Sequence, residues 1–381
     1  MANFYSEDFK VGVLGGGQLG RMLFQASLDL DIHLYFMDPA INAPCSRVST
    51  HFEQGNLSNY DDVYNFGKGK DVVTIEIEHV NTQALKQLEK EGVSVFPQPH
   101  IIELIQDKGL QKQFYKENNI PTSDFVFANS LQEIESHLNK QPWVQKVRKG
   151  GYDGQGVSVL KSTSDIQKAL SGPSILEDLV DFETEISVIV ARNEKGDVKA
   201  FPMVDMEFSE EANLVEFLFS PATLTDDIKS KANAIAIDVI TKLEMVGLLA
   251  VEMFVTKSGH VLVNEVAPRP HNSGHQTIEG NVTSQYEQHL RSILNLPLGN
   301  TTITHPSVMV NLLGEKDFVG PVFYEGLEDV LNIPGVNVHI YGKQDTKSFR
   351  KMGHVTVIAE TLDEAKEKAR QVKNTLKVKT K

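Results

Sequence analysis

The sequence predicts an α/β protein that opens with a doubly wound parallel sheet and continues into α+β segments. Short apolar runs alternate with helical patterns through residues 11–97, which is typical of a parallel sheet with helices on both faces. Residues 143–191 form a compact segment rich in strand-like runs and glycine. Two further apolar runs, 248–255 and 260–263, flank a Ser-Gly turn and predict an antiparallel hairpin.

Composition narrows the classes of protein to which the chain can belong. Its 381 residues are 40% hydrophobic, which suggests two or three globular domains. No apolar run approaches the ~20 residues of a membrane span. The N-terminus carries acids where a signal peptide needs basic and apolar residues, and the single cysteine fits a reducing compartment, so we expect a cytoplasmic protein. A net charge of −14 argues against non-specific nucleic-acid or membrane binding but permits a phosphorylated substrate.

The first element is a strand, Val11–Leu14, followed by a glycine loop and a helical pattern to about Leu30. Residues Gly15–Gly20 satisfy G-x-G-x-x-G, and Asp38 follows Gly20 by 18 residues at the end of the next strand. This spacing meets the dinucleotide fingerprint, so the loop could bind NAD or FAD. The same pattern also suits another phosphate at the helix N-terminus, or a tight turn without a ligand.

The next elements complete the predicted parallel sheet. A strand at Asp71–Glu78 precedes a helix at Thr82–Glu91 and a strand at Val93–Phe96. Ligands bind such sheets at the carboxyl ends of the strands. Glu76 therefore either points into that crevice or is a solvated acid at the end of its strand.

A second glycine loop follows a helical linker that contains Lys108 and ends near Pro121. Four glycines lie within 150–156, between predicted strands at Trp143–Val147 and Val157–Leu160. Such a loop can approach phosphates closely, and Lys146 on the preceding strand can reach an α- or β-phosphate. The alternative is a flexible hairpin, but the three cations, the tyrosine and the aspartate of this stretch favour a nucleotide.

The following strands carry acids at their ends. Residues Glu177–Val180 end one predicted strand, and Glu185 opens the next, at Ile186–Ala191. A strand edge with an acid and free backbone groups suits an adenine and its ribose. Further strands are predicted at Lys199–Glu207 and Leu214–Phe219, before a helix at Asp226–Leu243.

The hairpin at 248–265 brings two acids together. If its strands pair, Glu252 lies opposite Glu265, next to Asn264. Converging carboxylates are costly to bury without a partner, so the pattern predicts a Mg²⁺ site, although acids that simply face water are the alternative. Prolines on both sides of Arg269 restrain its backbone and offer its guanidinium to a carboxylate or phosphate.

The C-terminal part is predicted to contain a helix at Ser284–Leu294 and strands at Val308–Leu313, Val338–Tyr341 and His354–Glu360. Lys343 and the cluster Arg350–His354 are predicted to lie in a loop between two of these strands. The cluster is either solvated surface or a phosphate contact beside a glycine.

Four motifs, taken together, resemble a known family. They are GGGQLGRM at 15–22, GGYDGQG at 150–156, NEVAPRPHNSGH at 264–275 and RKMGH at 350–354. The chain resembles the N5-carboxyaminoimidazole ribonucleotide synthetases of the ATP-grasp superfamily. That resemblance implies an ATP-grasp fold with an N-terminal pre-ATP-grasp domain at 1–98, a linker and lid at 99–180, and a C-terminal domain at 181–381 whose family-specific segment covers about 301–381.

The resemblance also implies the functional residues. The residues expected at the chemistry are Tyr152, Asp153, Arg269 and Lys351. Those expected to bind ATP are Lys108, Lys146, Gly151, Tyr152, Asp153, Gly154, Gln155, Gly156, Val157, Glu177, Asp178, Leu179, Val180, Glu185, Asn264 and Glu265. Those expected to bind the ribonucleotide are Gln18, Leu19, Glu76, Asn272, Ser273, Lys343 and Arg350. The metal ligands are expected to be Glu252 and Glu265.

The implied activity is a C–N ligase reaction of purine biosynthesis. ATP and bicarbonate would carboxylate 5-aminoimidazole ribonucleotide, with Mg²⁺ as cofactor, Mn²⁺ able to substitute, and a homodimer as the assembly. The alternatives are a formate-dependent glycinamide ribonucleotide transformylase, an NAD(P)-dependent oxidoreductase and a non-catalytic sensor of purine intermediates. One departure from the family is that its usual histidine after Glu185 has no counterpart in the segment Pro202–Phe208.

Overall fold

The N-terminal unit alternates strands and helices. A computed structural model of the chain describes residues 3–151, 156–209, 211 and 214–381. The first unit contains β1 (Val11–Leu14), α1 (Gln18–Leu28), β2 (Leu34–Asp38), β3 (Phe52–Gln54), α2 (Tyr60–Gly67), β4 (Val72–Ile75), α3 (Thr82–Lys90) and β5 (Ser94–Val95). Its strands are all parallel, in the order β3-β2-β1-β4-β5. The predicted doubly wound sheet is therefore confirmed.

A small four-stranded antiparallel sheet follows the two linker helices. The elements are α4 (Pro99–Ile105), α5 (Lys108–Glu117), β6 (Phe125–Ala128), α6 (Leu131–Leu138), β7 (Trp143–Val147), β8 (Val157–Leu160) and β9 (Ser174–Asp178). The strand order is β6-β9-β7-β8. Helix α6 covers one face, where Ile134 and Leu138 pack on Trp143 and Leu176. Strands β7 and β8 have their predicted bounds, whereas β6 is an addition to the prediction.

The rest of the chain builds a nine-stranded sheet and a three-stranded one. Its elements are β10 (Phe182–Arg192), β11 (Val198–Ala200), β12 (Val204–Phe208), β13 (Val215–Ser220), α7 (Asp226–Lys242), β14 (Gly247–Thr256), β15 (Val261–Ala267), α8 (Thr277–Gly280), α9 (Gln285–Ile293), β16 (Ser307–Leu313), β17 (Gly320–Glu325), α10 (Leu327–Leu331), β18 (Val336–Ile340), β19 (Asp345–Thr346), β20 (Lys351–Ile358), α11 (Leu362–Thr375) and β21 (Lys377–Thr380). The large sheet runs β15-β14-β10-β12-β13-β16-β20-β18, with β11 on β10, and the small one runs β19-β17-β21.

Three predictions about these strands are wrong. The single strand predicted at Lys199–Glu207 is divided into β11 and β12, because Pro202 lacks the N–H that a continuous ladder needs. Glu185 does not open its strand but lies inside β10. Residues 351–354 belong to β20 rather than to a loop, since Met352 and His354 are fully buried in the sheet.

Packing leaves one face of the large sheet for function. Ile186 and Val251 point into a core shared with α7, together with alternate residues of the same strands. Because side chains alternate along a strand, Glu185, Ser187 and Glu252 face the opposite side. That side is turned toward the four-stranded sheet and the N-terminal unit.

Helix α9 ties the N-terminal unit to the large sheet. Tyr286 and Leu290 of α9 pack with Val11 and Val13 of β1, whereas Leu14 of β1 packs with α2 and α3 on the other face. The longest helix in the described part of the chain, α7, has 17 residues and several charges, so none of the described helices could cross a bilayer.

Candidate active site

The two acids of the hairpin lie opposite each other, as predicted. Glu252 of β14 is paired with Glu265 of β15, while the next residue, Met253, is paired with Val263. Asn264 is therefore an extra residue, a β-bulge, and a bulge re-aims side chains that simple alternation would send to opposite faces. Asn264 and Glu265 each accept a hydrogen bond from a lysine. Lys146 Nζ donates to Asn264 Oδ1 at 2.8 Å, and Lys108 Nζ donates to Glu265 Oε2 at 2.6 Å, so the four side chains line one cleft.

The two facing carboxyls have opposite electrostatic environments. Lys108 holds the pKa of Glu265 well below its usual range, against the effect of burial. Burial, followed by the charge of Glu265, raises the pKa of Glu252. The side chain of Glu252 is 17% exposed and that of Glu265 is 42% exposed, so the pair lies at the wall of an open cleft. The ionised form of Glu252 thus lacks part of the positive charge that would balance it.

Lys146 lies on β7, where the four-stranded sheet meets the nine-stranded sheet. Its ammonium is 3.1 Å from Glu177 Oε1 on the neighbouring strand β9, in addition to its contact with Asn264. The residue is 8% exposed, and its third N–H has no protein acceptor among the described residues. This position brings an ammonium to the base of the second glycine loop, residues 150–156, which we call the flap.

The flap itself is described only at its ends. Gly151 leads into it, and Gly156 leaves it with φ +84°, where its carbonyl accepts a hydrogen bond from Val147 N at 2.9 Å. Val157 opens β8 opposite Lys146. The predicted contacts of Tyr152, Asp153, Gly154 and Gln155 lie outside the described residues.

The segment predicted for adenine, Glu177–Val180, does not end its strand as predicted, because β9 ends at Asp178 and the last two residues lie beyond it. Glu177 is 3% exposed, whereas Leu179 is 46% exposed. Asp178, Leu179 and Val180 line a cavity of about 550 Å³ between the four-stranded sheet and the turn of the hairpin. Glu185 lies nearby on β10, where burial raises its pKa to about 7, Lys146 lowers it and Glu265 raises it further.

The N-terminal glycine loop is arranged around the chain's own acids. Glu76 Oε1 accepts hydrogen bonds from Leu19 N at 3.0 Å and Gly20 N at 3.4 Å, at the start of α1 where Gln18 is the first residue. A Cβ on Gly17 would lie 2.5 Å from the same oxygen, so this approach needs glycine. Asp38 accepts from Gly16 N at 2.8 Å. In this arrangement Glu76 occupies the helix N-terminus and Asp38 braces the loop, which disfavours the dinucleotide interpretation.

Burial raises the pKa of Glu76 to about 7, although the charge of Arg269 and hydrogen bonds from the backbone of the glycine loop oppose the effect. The carboxyl therefore changes charge within the physiological range. It lies at the carboxyl end of β4, at the crevice where ligands bind a parallel sheet.

The loop after β15 carries Arg269 toward the N-terminal unit. Arg269 Nε is 2.9 Å from Glu78 Oε1, an acid that the sequence placed at the end of the same strand as Glu76. Two residues on, His271 Nε2 is 3.6 Å from Glu252 Oε1. Gln285 of α9 fixes this stretch by accepting from His271 N at 2.8 Å and donating to its carbonyl at 2.7 Å.

The predicted substrate residues of this loop, Asn272 and Ser273, lie beside β10. Ser273 Oγ is 2.8 Å from Ser187 Oγ on the functional face of β10. Asn272 Oδ1 is buried and accepts no hydrogen bond from the described residues.

The C-terminal cations divide into two groups. Lys351 is close enough to Glu252 to lower the pKa of that carboxyl, and its carbonyl accepts from Lys343 Nζ at 2.7 Å. Arg350 instead donates to the carbonyl of Asp345 at 2.7 Å, within its own loop. The described contacts thus bring Lys351 and Lys343 to the cleft but do not connect Arg350 with it.

Two residues of this cleft, Lys112 and Glu78, were not identified as site residues from the sequence. Lys112 is buried against Glu177 and lies one helical turn after Lys108, so helical spacing could have indicated it. Glu78 was noted only as a strand-end acid. Its ion pair with Arg269 joins segments that no local pattern connects.

Three family models match the chain. The ribonucleotide synthetase preATP-grasp domain matches residues 9–106, the ATP-grasp domain matches 113–286, and the phosphoribosylaminoimidazole carboxylase C-terminal domain matches 307–368. The ATP-grasp fold predicted from the motifs is confirmed.

Individual relatives agree with these models. The N5-carboxyaminoimidazole ribonucleotide synthase of Bacillus subtilis is 34% identical over 93% of this chain and 92% of the relative. The crystal structure of N5-carboxyaminoimidazole ribonucleotide synthetase from Thermotoga maritima is 41% identical, with a TM-score of 0.90, over 98% of this chain and 100% of that one. The synthase from Aspergillus clavatus, solved with ADP and 5-aminoimidazole ribonucleotide, is 33% identical, with a TM-score of 0.88, over 96% of this chain and 98% of that one.

Other relatives are longer than this chain. It spans 64% and 66% of the length of two curated phosphoribosylaminoimidazole carboxylases, from Vigna aconitifolia and Schizosaccharomyces pombe.

Proposed function

The chain belongs to the N5-carboxyaminoimidazole ribonucleotide synthetase family, and we propose that it uses ATP and bicarbonate to carboxylate 5-aminoimidazole ribonucleotide. The products are N5-carboxyaminoimidazole ribonucleotide, ADP and phosphate, in a step of purine biosynthesis. One observation carries the proposal: the facing acids Glu252 and Glu265 share a cleft with Lys108 and Lys146, and each of the four residues comes from a different element. Such a cluster suits a triphosphate and its cation.

The donor set fits a divalent cation. Glu252 and Glu265 face each other. Burial and the negative charge of Glu265 both disfavour the ionised form of Glu252. A cation held by both carboxylates, with the oxygen of Asn264 nearby, would offset that negative charge. Mg²⁺ bound there would neutralise charge on the transferring phosphoryl group, and Mn²⁺, which also accepts oxygen ligands, is expected to substitute.

The lysines serve the first half of the reaction. A bicarbonate oxygen attacks the γ-phosphorus of ATP, the bond to the β-phosphate oxygen breaks, and carboxyphosphate and ADP result. Lys146 holds phosphate oxygens through its remaining N–H, and Lys108 balances Glu265 at the cation site. Both ammoniums are oriented by protein acceptors before ATP binds, so they need little reorganisation during the transfer.

The second half joins the carboxyl group to the exocyclic amine. The amine nitrogen either attacks the carboxyl carbon of carboxyphosphate and expels phosphate, or attacks CO₂ after carboxyphosphate has broken down to CO₂ and phosphate. In both routes the nitrogen then loses a proton. Arg269 and Lys351, which approach the cleft from two sides, are proposed to hold the bicarbonate-derived group. The flap is proposed to exclude water from carboxyphosphate, with Tyr152 and Asp153 at the ribonucleotide.

Phosphate release from ATP tests this function. Mg²⁺, bicarbonate and 5-aminoimidazole ribonucleotide are supplied singly and together, and the product is assayed for an acid-labile carboxyl group. We expect release that requires the ribonucleotide and yields the labile product. Activity only with formate and glycinamide ribonucleotide would identify a transformylase instead, and the absence of both activities in folded protein would reject the proposal.

We also propose that the chain acts as a homodimer, on the basis of the family resemblance. Light scattering of the purified protein should then give twice the chain mass of 42.4 kDa. A mass of one chain at working concentrations would contradict it.

A further inference from the structure

Lys112 is a buried cation for which the proposed chemistry has no use. It lies on α5 with 1% of its surface exposed. Its ammonium is 2.9 Å from Glu177 Oε2 and donates to Thr122 Oγ1 at 2.6 Å and Ser123 Oγ at 2.8 Å. These acceptors satisfy all three N–H groups of the ammonium. Burial of such a group is costly, and it lowers the pKa of Lys112 to about 8 although Glu177 opposes the shift.

The partner of Lys112 is shared with the proposed phosphate ligand. Glu177 gives Oε2 to Lys112 and Ser123 and gives Oε1 to Lys146. Burial acts to raise the pKa of Glu177, but the charges of Lys146 and Lys112 outweigh it. The pKa is therefore lowered, and the carboxyl stays ionised. Because both oxygens are occupied by protein groups, a nucleotide contact from Glu177 would come from its backbone. The side chain acts on Lys146 instead.

These contacts form one network around the cleft. From Lys112 it runs through Glu177 and Lys146 to Asn264 on β15. The adjacent Glu265 returns it to α5 through Lys108, one helical turn before Lys112. Two sheets and one helix are therefore held together at the place where ATP is proposed to bind.

We propose that Lys112 is a positioning residue for ATP: by sharing Glu177, it leaves Lys146 with positive charge that the protein does not neutralise. One carboxylate between two ammoniums leaves a net charge of +1 beside the phosphates. Without Lys112, Glu177 and Lys146 would form a neutral pair, and the attraction for a triphosphate would weaken. The inference rests on the ATP site of the proposed function.

The charge argument predicts a specific pattern among variants. Lys112→Met and Lys112→Gln reduce the group to a neutral pair, and Lys112→Gln retains a polar side chain that is one bond shorter than lysine. The double variant Lys112→Met/Glu177→Gln removes both buried charges and returns the net charge to +1. Tyr115→Phe is a matched control on the same helix. It removes a fully buried hydroxyl for which the described residues supply no hydrogen-bond partner.

The test is calorimetric titration of each folded variant with MgATP, in the absence of bicarbonate and ribonucleotide. We expect the Kd of both single Lys112 variants to rise about tenfold or more, while Tyr115→Phe stays within about threefold of wild type. The double variant should bind MgATP more tightly than Lys112→Met, because its net charge is again +1. Turnover should show the same rise in KM for ATP with kcat changed less than about threefold, because Lys146 binds phosphates in the ground state and in the transition state alike.

Two results would overturn the inference. The first is unchanged ATP affinity in a folded single variant. The second is a double variant that binds as weakly as Lys112→Met, which would mean that Lys112 acts through packing rather than charge. A wild-type protein that does not bind MgATP would instead reject the proposed function, so the two failures are distinguishable.

Discussion

At the scale of single residues, the site consists of charges that the protein balances unequally. Glu265 has Lys108 at 2.6 Å, whereas the described partner of Glu252 nearest in distance is His271 at 3.6 Å. Like charges on opposed strands repel, and burial strengthens the repulsion. The protein therefore retains an arrangement that destabilises the free enzyme, which is common where a ligand supplies the missing charge.

Neutralising these acids should separate stability from activity. We expect Glu252→Gln to retain or raise the thermal midpoint of the cation-free protein, because it removes the repulsion with Glu265. Phosphate release should fall by about 10²-fold or more, because one carboxylate of the proposed cation site is lost. Glu265→Gln should lose activity similarly but also lose stability, since it leaves Lys108 without its carboxylate. Wild-type turnover in either folded variant would exclude the proposed cation role.

An exposed acid supplies the control for these two variants. Glu325→Gln removes the carboxylate of a surface ion pair with Lys379, between β17 and β21 of the three-stranded sheet. Surface pairs contribute little to stability. Its thermal midpoint and its phosphate release should both match wild type.

The raised pKa of Glu76 predicts a dependence of stability on pH. A carboxyl whose pKa rises from 4.5 to about 7 on folding holds its proton more tightly when folded. Its contribution is therefore present below pH 4.5 and is lost as the pH rises toward 7. In urea unfolding of nucleotide-free protein, Glu76→Gln should lose less stability than wild type between pH 5 and pH 8, by about 1–3 kcal/mol.

The exposed acid Glu89 provides a comparison, because Glu89→Gln should follow the wild-type decline. Parallel declines in wild type and Glu76→Gln would contradict the assignment of this pH dependence to Glu76.

At the scale of elements, the loop after β15 depends on a close approach to α9. Gln285 is fully buried and bonds both backbone groups of His271. A Cβ on Gly274 would lie 2.5 Å from Gln285 Oε1. The loop can therefore hold His271 and Arg269 in place only if residue 274 has no side chain.

Gly274→Ala should displace Gln285 and with it the loop. We expect kcat/KM for the ribonucleotide to fall about 10–100-fold, since displacements near 1 Å can cost that much. The far-UV circular dichroism spectrum should not change. Wild-type kcat/KM in this variant would show that the loop tolerates the extra carbon, and the positioning argument would be wrong.

At the scale of the whole molecule, the four-stranded sheet is the unit with the smallest core. Its buried cluster contains six residues, whereas the cluster between the large sheet and α7 is several times larger. Much of its attachment to the large sheet consists of the polar network through Lys112, Glu177, Lys146 and Asn264. Such an attachment is sensitive to the charge of a ligand.

The single tryptophan reports on that sheet alone, because Trp143 lies on β7. We expect its fluorescence transition in thermal unfolding to precede the far-UV transition in the absence of nucleotide. MgATP at about 100 times its Kd should raise the midpoint temperature of this transition, because binding stabilises the folded form by about 2.7 kcal/mol. Lys146→Met should abolish the rise. A Trp143 transition that MgATP leaves unchanged in wild type would contradict ATP binding at this junction.

The sequence by itself determined most of the framework. Strands β1, β7 and β8 have their predicted bounds, and Glu252 is paired with Glu265 as the apolar runs and the turn implied. These features follow from local periodicity and turn chemistry, which act over a few residues. The four motifs were sufficient to indicate the family, because each lies within a short segment.

Only the tertiary structure decided which charges meet. Glu76 bonds Leu19 N across 57 residues, and Lys108 bonds Glu265 across 157. The bulge that places Asn264 and Glu265 in one cleft, and the burial of Lys112 against Glu177, likewise depend on how whole sheets pack. The physical reason is that burial and charge pairing depend on distance in space, whereas a sequence pattern records only distance along the chain.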